Sequence, residues 1–212
     1  MSTKNKNTLL PIPVVQINLQ HSKGASAAFC REVSRLRNYV GLIQEPWINM
    51  RNKYNRYEIC GLGGLRVFRG FGERPRACVV TSENVKAWPL PDISNEDCVA
   101  VLTEWKWGKL IFASVYMPQE DTPPPNIVRK LIRKCETEDI PFLIGTDSNS
   151  HHTLWGSSAV NKRGEELLEY LAGTETMILN RGHKPTFVAS RAREVLDLTL
   201  VSKSLSDVIQ GW

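Results

Sequence analysis

Short apolar runs separated by polar breaks recur along the chain, and their spacing predicts an α/β fold. The first run, Val14–Leu19, is rich in β-branched residues and predicts a strand. Between residues 25 and 39, apolar positions recur at helical spacing and predict an amphipathic helix. A second strand pattern follows at 41–44. A strand, helix, strand opening is typical of α/β proteins.

The remaining pattern adds strands more often than helices. Strands are predicted at 78–81, 99–105, 110–116, 142–146, 177–180, 186–188 and 195–201. Helices are predicted at 126–138 and 163–172. The glycine-rich stretch 61–72 lacks the order of a nucleotide-binding loop and is interpreted as a flexible loop or hairpin. Many strands with about three helices predict two packed sheets with helices outside them.

Composition limits the class of protein. The 212 residues are 42% hydrophobic, which predicts one globular domain over 1–212. The net charge of +5 fits a polyanionic partner such as nucleic acid or a membrane surface, or an ordinary basic enzyme. Five scattered cysteines without a C-x-x-C spacing predict reduced thiols. No apolar run approaches the length of a membrane span and no signal-peptide core follows the start, so a cytosolic or nuclear protein is expected.

Polar residues stand where several predicted strands end. The apolar run Phe142–Thr146 stops at Asp147 and is followed by Asn149, which places a carboxylate and an amide at a strand end. In α/β folds, that end of a strand is where ligands bind. Asn18, Glu45 and Asp197 also lie beside or within predicted strands. Such oxygen ligands and amide donors suit Mg²⁺ and a phosphate ester.

Four motifs carry a resemblance to a known family, and the most specific is the run Asp-x-Asn-x-His-His-x-x-Trp-Gly. The four motifs are Arg74–Cys78, Tyr116–Pro118, Asp147–Gly156, which contains this run, and Leu196–Thr199. The chain resembles the apurinic-endonuclease-like domain of non-LTR retrotransposons, in their insect, site-specific branch, within the endonuclease/exonuclease/phosphatase superfamily. The resemblance covers nearly the whole chain. It implies an α/β (α+β) fold, a four-layer sandwich of two mixed β-sheets flanked by helices.

The resemblance implies a metal site near the first two strands. Asn18 matches the Asn that helps to arrange this site, and Glu45 matches the carboxylate that binds Mg²⁺, with Mn²⁺ as a substitute. Taken without the resemblance, Glu45 is also compatible with a surface carboxylate. The cellular repair enzymes carry an Asp where this chain has Gln20, which favours the retrotransposon branch.

The resemblance also implies the groups that act on the phosphate. Tyr116 matches a Tyr that donates to the developing charge, Asp147 an Asp that orients the attacking water, and Asn149 an Asn that holds the phosphate. The residues themselves leave alternatives open. Tyr116 could be a core residue of a hairpin, and Asp147 with Asn149 could form an Asx turn.

Asp197 matches the Asp that accepts a hydrogen bond from the catalytic His of the family. That His belongs to a Ser-Asp-His motif, which is not among these 212 residues. The sequence is therefore expected to lack its C-terminal catalytic strand, or to be inactive as it stands. His151 and His152 are expected to be structural or close to DNA rather than catalytic.

Between two strand patterns lies Thr186–Arg193, which carries Ser190, Arg191 and Arg193 at its tip. The resemblance places a DNA-inserting hairpin there, and Arg in a minor groove reads the width of the groove. A solvated turn is the alternative. His151 is expected near the same DNA.

The function implied by the resemblance is Mg²⁺-dependent nicking of double-stranded DNA. The 3′-hydroxyl left at the nick would prime reverse transcription by a polymerase domain of the same polyprotein, in the nucleus and without a membrane. Two alternatives stay open. One is an abasic-site endonuclease or another phosphodiesterase of the superfamily, and the other is a module that binds DNA without cutting it.

Overall fold

Two β-sheets form the centre of the computed structural model, which describes residues 11–51, 56–190 and 192–211. The strands of the described residues are β1 (Val14–Asn18), β2 (Val40–Gln44), β3 (Ile48–Arg51), β4 (Arg56–Ile59), β5 (Arg66–Arg69), β6 (Ala77–Thr81), β7 (Ala87–Pro89), β8 (Cys98–Trp105), β9 (Gly108–Tyr116), β10 (Phe142–Asp147), β11 (Thr176–Ile178), β12 (Phe187–Ala189), β13 (Ala192–Glu194) and β14 (Asp197–Ser202). The α-helices are α1 (Lys23–Val33), α2 (Asn126–Thr137) and α3 (Lys162–Ala172).

Both central sheets are mixed, as predicted. The four-stranded sheet has the order β1-β2-β6-β5, with β1 and β2 parallel and joined through α1. The six-stranded sheet has the order β11-β14-β10-β9-β8-β7, in which only the β10–β9 pair is parallel. Two small hairpins, β3–β4 and β12–β13, stand apart from these sheets.

Three apolar clusters divide the molecule into four layers. One cluster lies between the sheets and includes Leu42 and Val79 on one side and Phe112 on the other. A second packs α2 and α3 against the outer face of the six-stranded sheet. The third packs α1 against the outer face of the four-stranded sheet. The four-layer sandwich predicted through the family resemblance is confirmed.

Buried polar contacts join the two sheets near the ends of the central strands. The Gln44 amide donates to the Ser114 hydroxyl at 2.9 Å and to the Gly145 carbonyl at 2.9 Å. Gln16 donates to the Thr146 carbonyl at 3.1 Å. Gly145 leaves room for these side chains, since a Cβ at this position would lie 2.9 Å from the Gln16 side chain. Because buried polar groups require partners, these contacts fix how the sheets lie on each other.

Some predicted elements are wrong in their bounds. The helix predicted over 25–39 begins at Lys23 and ends at Val33, so Leu36 lies beyond it. The strand predicted over 195–201 begins only at Asp197. Loop groups bind the carbonyls just before it, because the Ser157 hydroxyl donates to Val195 at 2.7 Å and the Ser148 backbone N–H donates to Leu196 at 3.0 Å.

The glycine-rich stretch is only partly a loop. It contains β5, which pairs with β6 in an antiparallel register. The prediction also missed β3, β4 and β7, each of which has three or four residues. The strands predicted at 99–105 and 110–116 form the β8–β9 hairpin, whose turn consists of Lys106 and Trp107. All five cysteines are free thiols, as predicted. None of the helices in the described ranges has the length and apolarity to cross a bilayer.

Candidate active site

Five predicted site residues converge at one edge of the sandwich. Asn18 is the last residue of β1 and Glu45 directly follows β2. Tyr116 ends β9 and Asp147 ends β10, where the two residues are register partners. Asp197 opens the antiparallel strand β14 opposite Asp147. The sheet pairings therefore bring together residues that are far apart in the sequence.

Asn18 and Asp147 connect the two sheets directly. The Asn18 amide donates to Asp147 Oδ2 at 2.8 Å, while its own Oδ1 accepts from the Gln20 backbone N–H at 2.8 Å. The amide of Asn18 is therefore held with its nitrogen toward the carboxylate. Burial raises the pKa of Asp147 and the Glu45 charge raises it further, whereas the hydrogen bond from Asn18 lowers it. This contact favours the ionised form of a buried carboxylate.

Asn149 is fixed by its backbone and its side chain together. Its φ of 48° lies in the left-handed region, which Asn adopts more readily than most residues. Its backbone N–H points to Asp147 Oδ1 at 3.3 Å, as in the predicted Asx turn. Its amide nitrogen donates to the Met117 carbonyl at 3.1 Å. The turn and the predicted site are thus compatible, because the turn carries Asn149 to the same edge as Asp147.

Tyr116 lies among acidic groups. Burial raises the pKa of its phenol, and the negative charges of Glu45 and Asp147 raise it further, against a hydrogen bond with Asn149 that lowers it. The phenol therefore stays protonated at neutral pH and keeps a proton to donate. This is the state required of a group that donates a hydrogen bond to a phosphate oxygen.

Arg76 and Asp97 support Tyr116 from the side. The Arg76 guanidinium forms a two-pronged ion pair with Asp97, whose Nη2–Oδ2 distance is 2.6 Å, and its Cζ lies 5.0 Å from the centre of the Tyr116 ring. The Tyr116 backbone N–H donates to the Asp97 carbonyl at 2.8 Å. The sequence prediction missed this pair, although Arg76 belongs to the quoted motif Arg74–Cys78.

Glu45 has a constrained backbone and a histidine neighbour. Its φ is 45°, and its backbone N–H donates to the Arg76 carbonyl at 2.8 Å. His21 Nε2 lies 3.6 Å from Glu45 Oε1, while His21 Nδ1 lies 2.8 Å from the Pro46 carbonyl oxygen and donates to it. The sequence prediction assigned no role to His21, and only its position after Asn18 could have suggested one.

Asp197 is the most perturbed carboxyl of the site. Burial raises its pKa to about 7, the Asp147 charge adds to the shift, and a hydrogen bond with Thr186 opposes it. Its Oδ1 is buried and has no partner within the described residues. Asn180 orients the strand by donating to the Asp197 carbonyl at 2.8 Å. Asp197 therefore has a free carboxylate oxygen that can accept a hydrogen bond from the ring N–H of a histidine.

The oxygen atoms of the site suit a divalent cation that keeps several of its waters better than one held entirely by protein ligands. Among the described residues no three His, Cys, Asp or Glu side chains form a metal cage. Mg²⁺ commonly keeps several waters and takes one or two carboxylates together with substrate phosphate. Glu45 offers a carboxylate with 24% of its side chain exposed, and its charge acts on both Asp147 and Tyr116. These residues fit Mg²⁺ or Mn²⁺ held mainly by Glu45.

Arg163 holds the loops that carry Asn149. From α3 it donates to the carbonyls of Asn149 at 3.1 Å and Gln119 at 2.9 Å, and also to the Asp121 carbonyl. Helix α3 approaches the same loop closely, because a Cβ on Gly164 would lie 2.0 Å from the His151 carbonyl oxygen. The sequence prediction did not single out either residue.

The two histidines after Asn149 have structural partners. His151 Nδ1 lies 3.4 Å from Glu194 Oε2, which connects this loop to strand β13. His152 caps the short 3₁₀ turn that follows, because its Nδ1 accepts from the Leu154 backbone N–H at 3.0 Å. Trp155 in that turn is buried in the core. His151 keeps 32% of its side chain exposed, so a contact with DNA stays a prediction.

The segment Thr186–Arg193 contains the predicted hairpin, formed by β12 and β13. Ser190 and Arg193 are exposed, whereas Arg191 lies outside the described residues. Thr186 has a second task, since its hydroxyl oxygen accepts from the backbone N–H groups of Leu196 and Asp197 at 3.0 Å each. The hairpin is thereby tied to the first residue of β14, at the edge of the site.

Comparisons with known proteins identify relatives in sequence and in fold. A family model described as "Endonuclease-reverse transcriptase" matches residues 110–211. The endonuclease domain of TRAS1, a telomere-specific non-LTR retrotransposon, superposes with a TM-score of 0.82 at 25% identity over 95% of this chain and 90% of that one. The catalytic domain of Xenopus laevis APE2 superposes with a TM-score of 0.65 at 12% identity over 92% of this chain and 83% of that one, and shows the fold alone.

A curated relative extends the likeness in sequence. The "Probable RNA-directed DNA polymerase from transposon BS" of Drosophila melanogaster is 30% identical over 111 residues. That match spans 50% of this chain and about 12% of the relative. The range 110–211 matched by the family model contains Tyr116, Asp147, Asn149 and Asp197. Over residues 110–211 the chain is therefore similar to the "Endonuclease-reverse transcriptase" family, and its fold is similar to that of the endonuclease domain of a non-LTR retrotransposon.

Proposed function

We propose that this chain is a Mg²⁺-dependent DNA endonuclease that nicks its target and leaves a 3′-hydroxyl. The observation that carries the proposal is the Asn18–Asp147 hydrogen bond of 2.8 Å across the two sheets. It fixes a buried carboxylate beside the Tyr116 phenol and the Asn149 amide, where a phosphate diester can meet all three. The homologous endonuclease domain of TRAS1 supports DNA as the substrate.

Each residue has a part in hydrolysis that follows from its chemistry. Asp147 accepts a hydrogen bond from the attacking water and directs its lone pair toward phosphorus. Tyr116 donates to a nonbridging oxygen, where negative charge grows in the transition state. Asn149 can turn its amide from the Met117 carbonyl toward the phosphate. Asp197 accepts from the ring N–H of the catalytic His that the family resemblance predicts.

A divalent ion at Glu45 would act as a Lewis acid on the scissile phosphate and would stabilise the leaving 3′ oxygen. Glu45 is prepared for this task by its neighbours. Its backbone is held through Arg76, and its carboxylate lies 3.6 Å from His21. The His21 ring limits the directions in which that carboxylate can turn.

Duplex DNA fits the surface around the site. The net charge of +5 favours binding to phosphate, and the exposed Arg193 extends from a hairpin beside Asp197. The natural partner for the product is the reverse transcriptase domain of the same polyprotein, as the likeness to a transposon polymerase suggests. Such a domain would extend the 3′-hydroxyl of the nick inside the nucleus.

A test of the products separates this proposal from its rivals. A 5′-labelled duplex, intact or with one abasic site, is incubated with Mg²⁺ and the natural protein that contains this chain. We expect nicks in intact duplex whose 3′ ends a DNA polymerase extends without prior treatment. Cleavage restricted to the abasic duplex would identify a repair-type endonuclease. Binding without any cleavage would leave a DNA-binding module as the better account.

A further inference from the structure

The site residues form a row along one edge of the six-stranded sheet. The strands β14, β10, β9 and β8 are adjacent in that order, and the row runs from Asp197 through Asp147 and Tyr116 to Asp97, which directly precedes β8 and accepts from the Tyr116 backbone N–H. Neighbouring strands lie about 4.8 Å apart, so the row is about 14 Å long. This corresponds to about four base pairs at a rise of about 3.4 Å each. A duplex cut at this site therefore extends beyond both ends of the row.

Each end of the row carries a projecting segment. At the β14 end stands the β12–β13 hairpin, tied to Asp197 through Thr186. At the β8 end stands the loop between β5 and β6, residues 70–76. Its Arg76 backbone N–H donates to the Glu96 carbonyl at 2.7 Å, directly before β8. The two segments lie on opposite sides of Asp147 and Tyr116.

The loop 70–76 lies close against the residues that precede β8. A Cβ on Gly70 would lie 1.7 Å from the Asn95 carbonyl oxygen, and one on Gly72 would lie 2.6 Å from the Glu96 side chain. Only glycine permits this approach on both sides of Phe71. The loop is held further by the Tyr57 backbone N–H, which donates to the Glu73 carbonyl at 3.2 Å. Its shape is therefore fixed by packing.

Between these two glycines, Phe71 presents its ring to solvent. Its relative exposure of 72% is the highest among the large hydrophobic residues of the described part of the chain. The neighbouring Arg69 and Arg74 are also exposed, and the Arg74 guanidinium lies 5.7 Å from the centre of the Tyr57 ring. A rigid loop that displays an aromatic ring between guanidinium groups has the chemistry of a nucleic-acid contact.

We propose that the loop 70–76 is a second DNA-contacting element, with Phe71 as a wedge at a base step on the Tyr116 side of the nick. The inference rests on the proposed function, because it places the duplex along the row of site residues. Apolar side chains inserted at a base step partly unstack it and bend the duplex. Arg69 and Arg74 contact phosphates beside that step and carry no sequence information.

The wedge gives the enzyme a preference at base pairs that its catalytic residues never touch. Pyrimidine–purine steps unstack most easily, so they are favoured a few base pairs from the nick on the Tyr116 side. The β12–β13 hairpin lies on the other side of the nick. Target choice then depends on two separate contacts, and each can be altered without the other.

The test compares Phe71→Ala and Phe71→Trp with Trp107→Ala. Trp107 is 48% exposed in the β8–β9 turn, at the opposite end of β9 from Tyr116, and serves as the matched exposed aromatic. Duplexes with 2-aminopurine at successive positions from the nick are bound in EDTA, and fluorescence reports unstacking. Nick positions and rates on plasmid DNA are then measured with Mg²⁺.

For the wild type and Phe71→Trp we expect a fluorescence rise at one position on the Tyr116 side. Phe71→Ala should lose this rise, bind about tenfold more weakly and lose the preference for pyrimidine–purine steps, since a base stacked on an aromatic ring is commonly worth a factor of this order. Trp107→Ala should match the wild type. If Phe71→Ala nicks and unstacks DNA as the wild type does, the proposal that Phe71 is a wedge is wrong, while the endonuclease proposal stands. If the wild type neither binds nor nicks DNA, both proposals fail.

Discussion

Asn18 donates a hydrogen bond to Asp147 at 2.8 Å, although the two residues are 129 positions apart and belong to different sheets. The contact joins the two sheets at the edge of the sandwich that carries the candidate active site. It also sets the charge state of Asp147, because its contribution to the pKa opposes that of burial. The packing of the two sheets and the chemistry of the site are therefore linked through one amide.

Replacing Asn18 tests this link. Asn18→Ala removes the donor that lowers the pKa of Asp147, so more of the carboxyl is protonated and its orientation is lost. We expect the nicking rate to fall by about 10² to 10³, the range found when one preorganised donor is removed from an active site. The measurement is plasmid nicking at saturating Mg²⁺. Asn84→Ala, at an exposed turn between β6 and β7, should nick at the wild-type rate.

The raised pKa of Asp197 predicts a dependence of stability on pH. Its ordinary value is 3.8 and the folded protein raises it to about 7, so the folded state disfavours the charged form. The free energy of unfolding should fall as pH rises from about 4 to about 7 and then stay level with respect to this group. The full effect is at most about 4 kcal/mol, since one pKa unit corresponds to about 1.4 kcal/mol.

Asp197→Asn should remove this dependence. In EDTA at pH 8 the variant is expected to be more stable than the wild type, and the difference should shrink as pH falls toward 4. Chemical denaturation at several pH values measures both curves. A variant that is less stable than the wild type at pH 8, with an unchanged pH slope, would show that Asp197 is not strained when ionised.

Arg163 is predicted to position the catalytic loop rather than to touch DNA. Arg163→Ala leaves the carbonyls of Asn149 and Gln119 without their donor and should destabilise the protein by about 2 kcal/mol. Nicking should fall as well, because Asn149 loses its support. Lys162→Ala is the matched control, since the side chain of this neighbour is 87% exposed and forms an ion pair with Glu166 on the same helix. Thermal unfolding and nicking assays should show lower stability and slower nicking for Arg163→Ala, and wild-type values for Lys162→Ala.

Two helical glycines should respond in opposite directions to alanine. In Gly164→Ala the new Cβ would meet the His151 carbonyl oxygen at 2.0 Å, so α3 must move and stability should fall by about 1–3 kcal/mol. In Gly24→Ala of α1 the nearest atom lies at 3.8 Å, and the better helix propensity of alanine should add about 0.5–1 kcal/mol. Unfolding in urea compares the two. Equal effects would contradict the close approach of α3 to the loop.

The strand ends of the site could be predicted from sequence because apolar runs stop abruptly at polar residues. Phe142–Asp147 is fully buried and is followed at once by the turn of Asn149, which is the pattern that the prediction used. The pattern of strands and helices predicted two packed sheets with helices outside them, and the family resemblance implied the four-layer sandwich. Buried strands show only their length and composition, and these do not reveal the partner of each strand.

The residues that the prediction missed act through contacts made only in the folded chain. Arg76 reaches Asp97, 21 positions away, and Arg163 reaches Gln119, 44 positions away. No local pattern marks such an arginine, because an exposed and a clamping arginine look alike in sequence. The early end of α1 was missed for a similar reason. No Gly or Pro follows Val33 before residue 41 to mark the end of the helix.

The most direct test of the central claim is nicking of supercoiled plasmid by the natural protein containing this chain. Wild type and Asp147→Asn are each incubated with Mg²⁺ and with EDTA, after both are shown to fold. The account predicts open-circular product only for the wild type with Mg²⁺, with ends that a polymerase extends. Equal nicking by Asp147→Asn, or nicking by the wild type in EDTA, would contradict the assignment of this site.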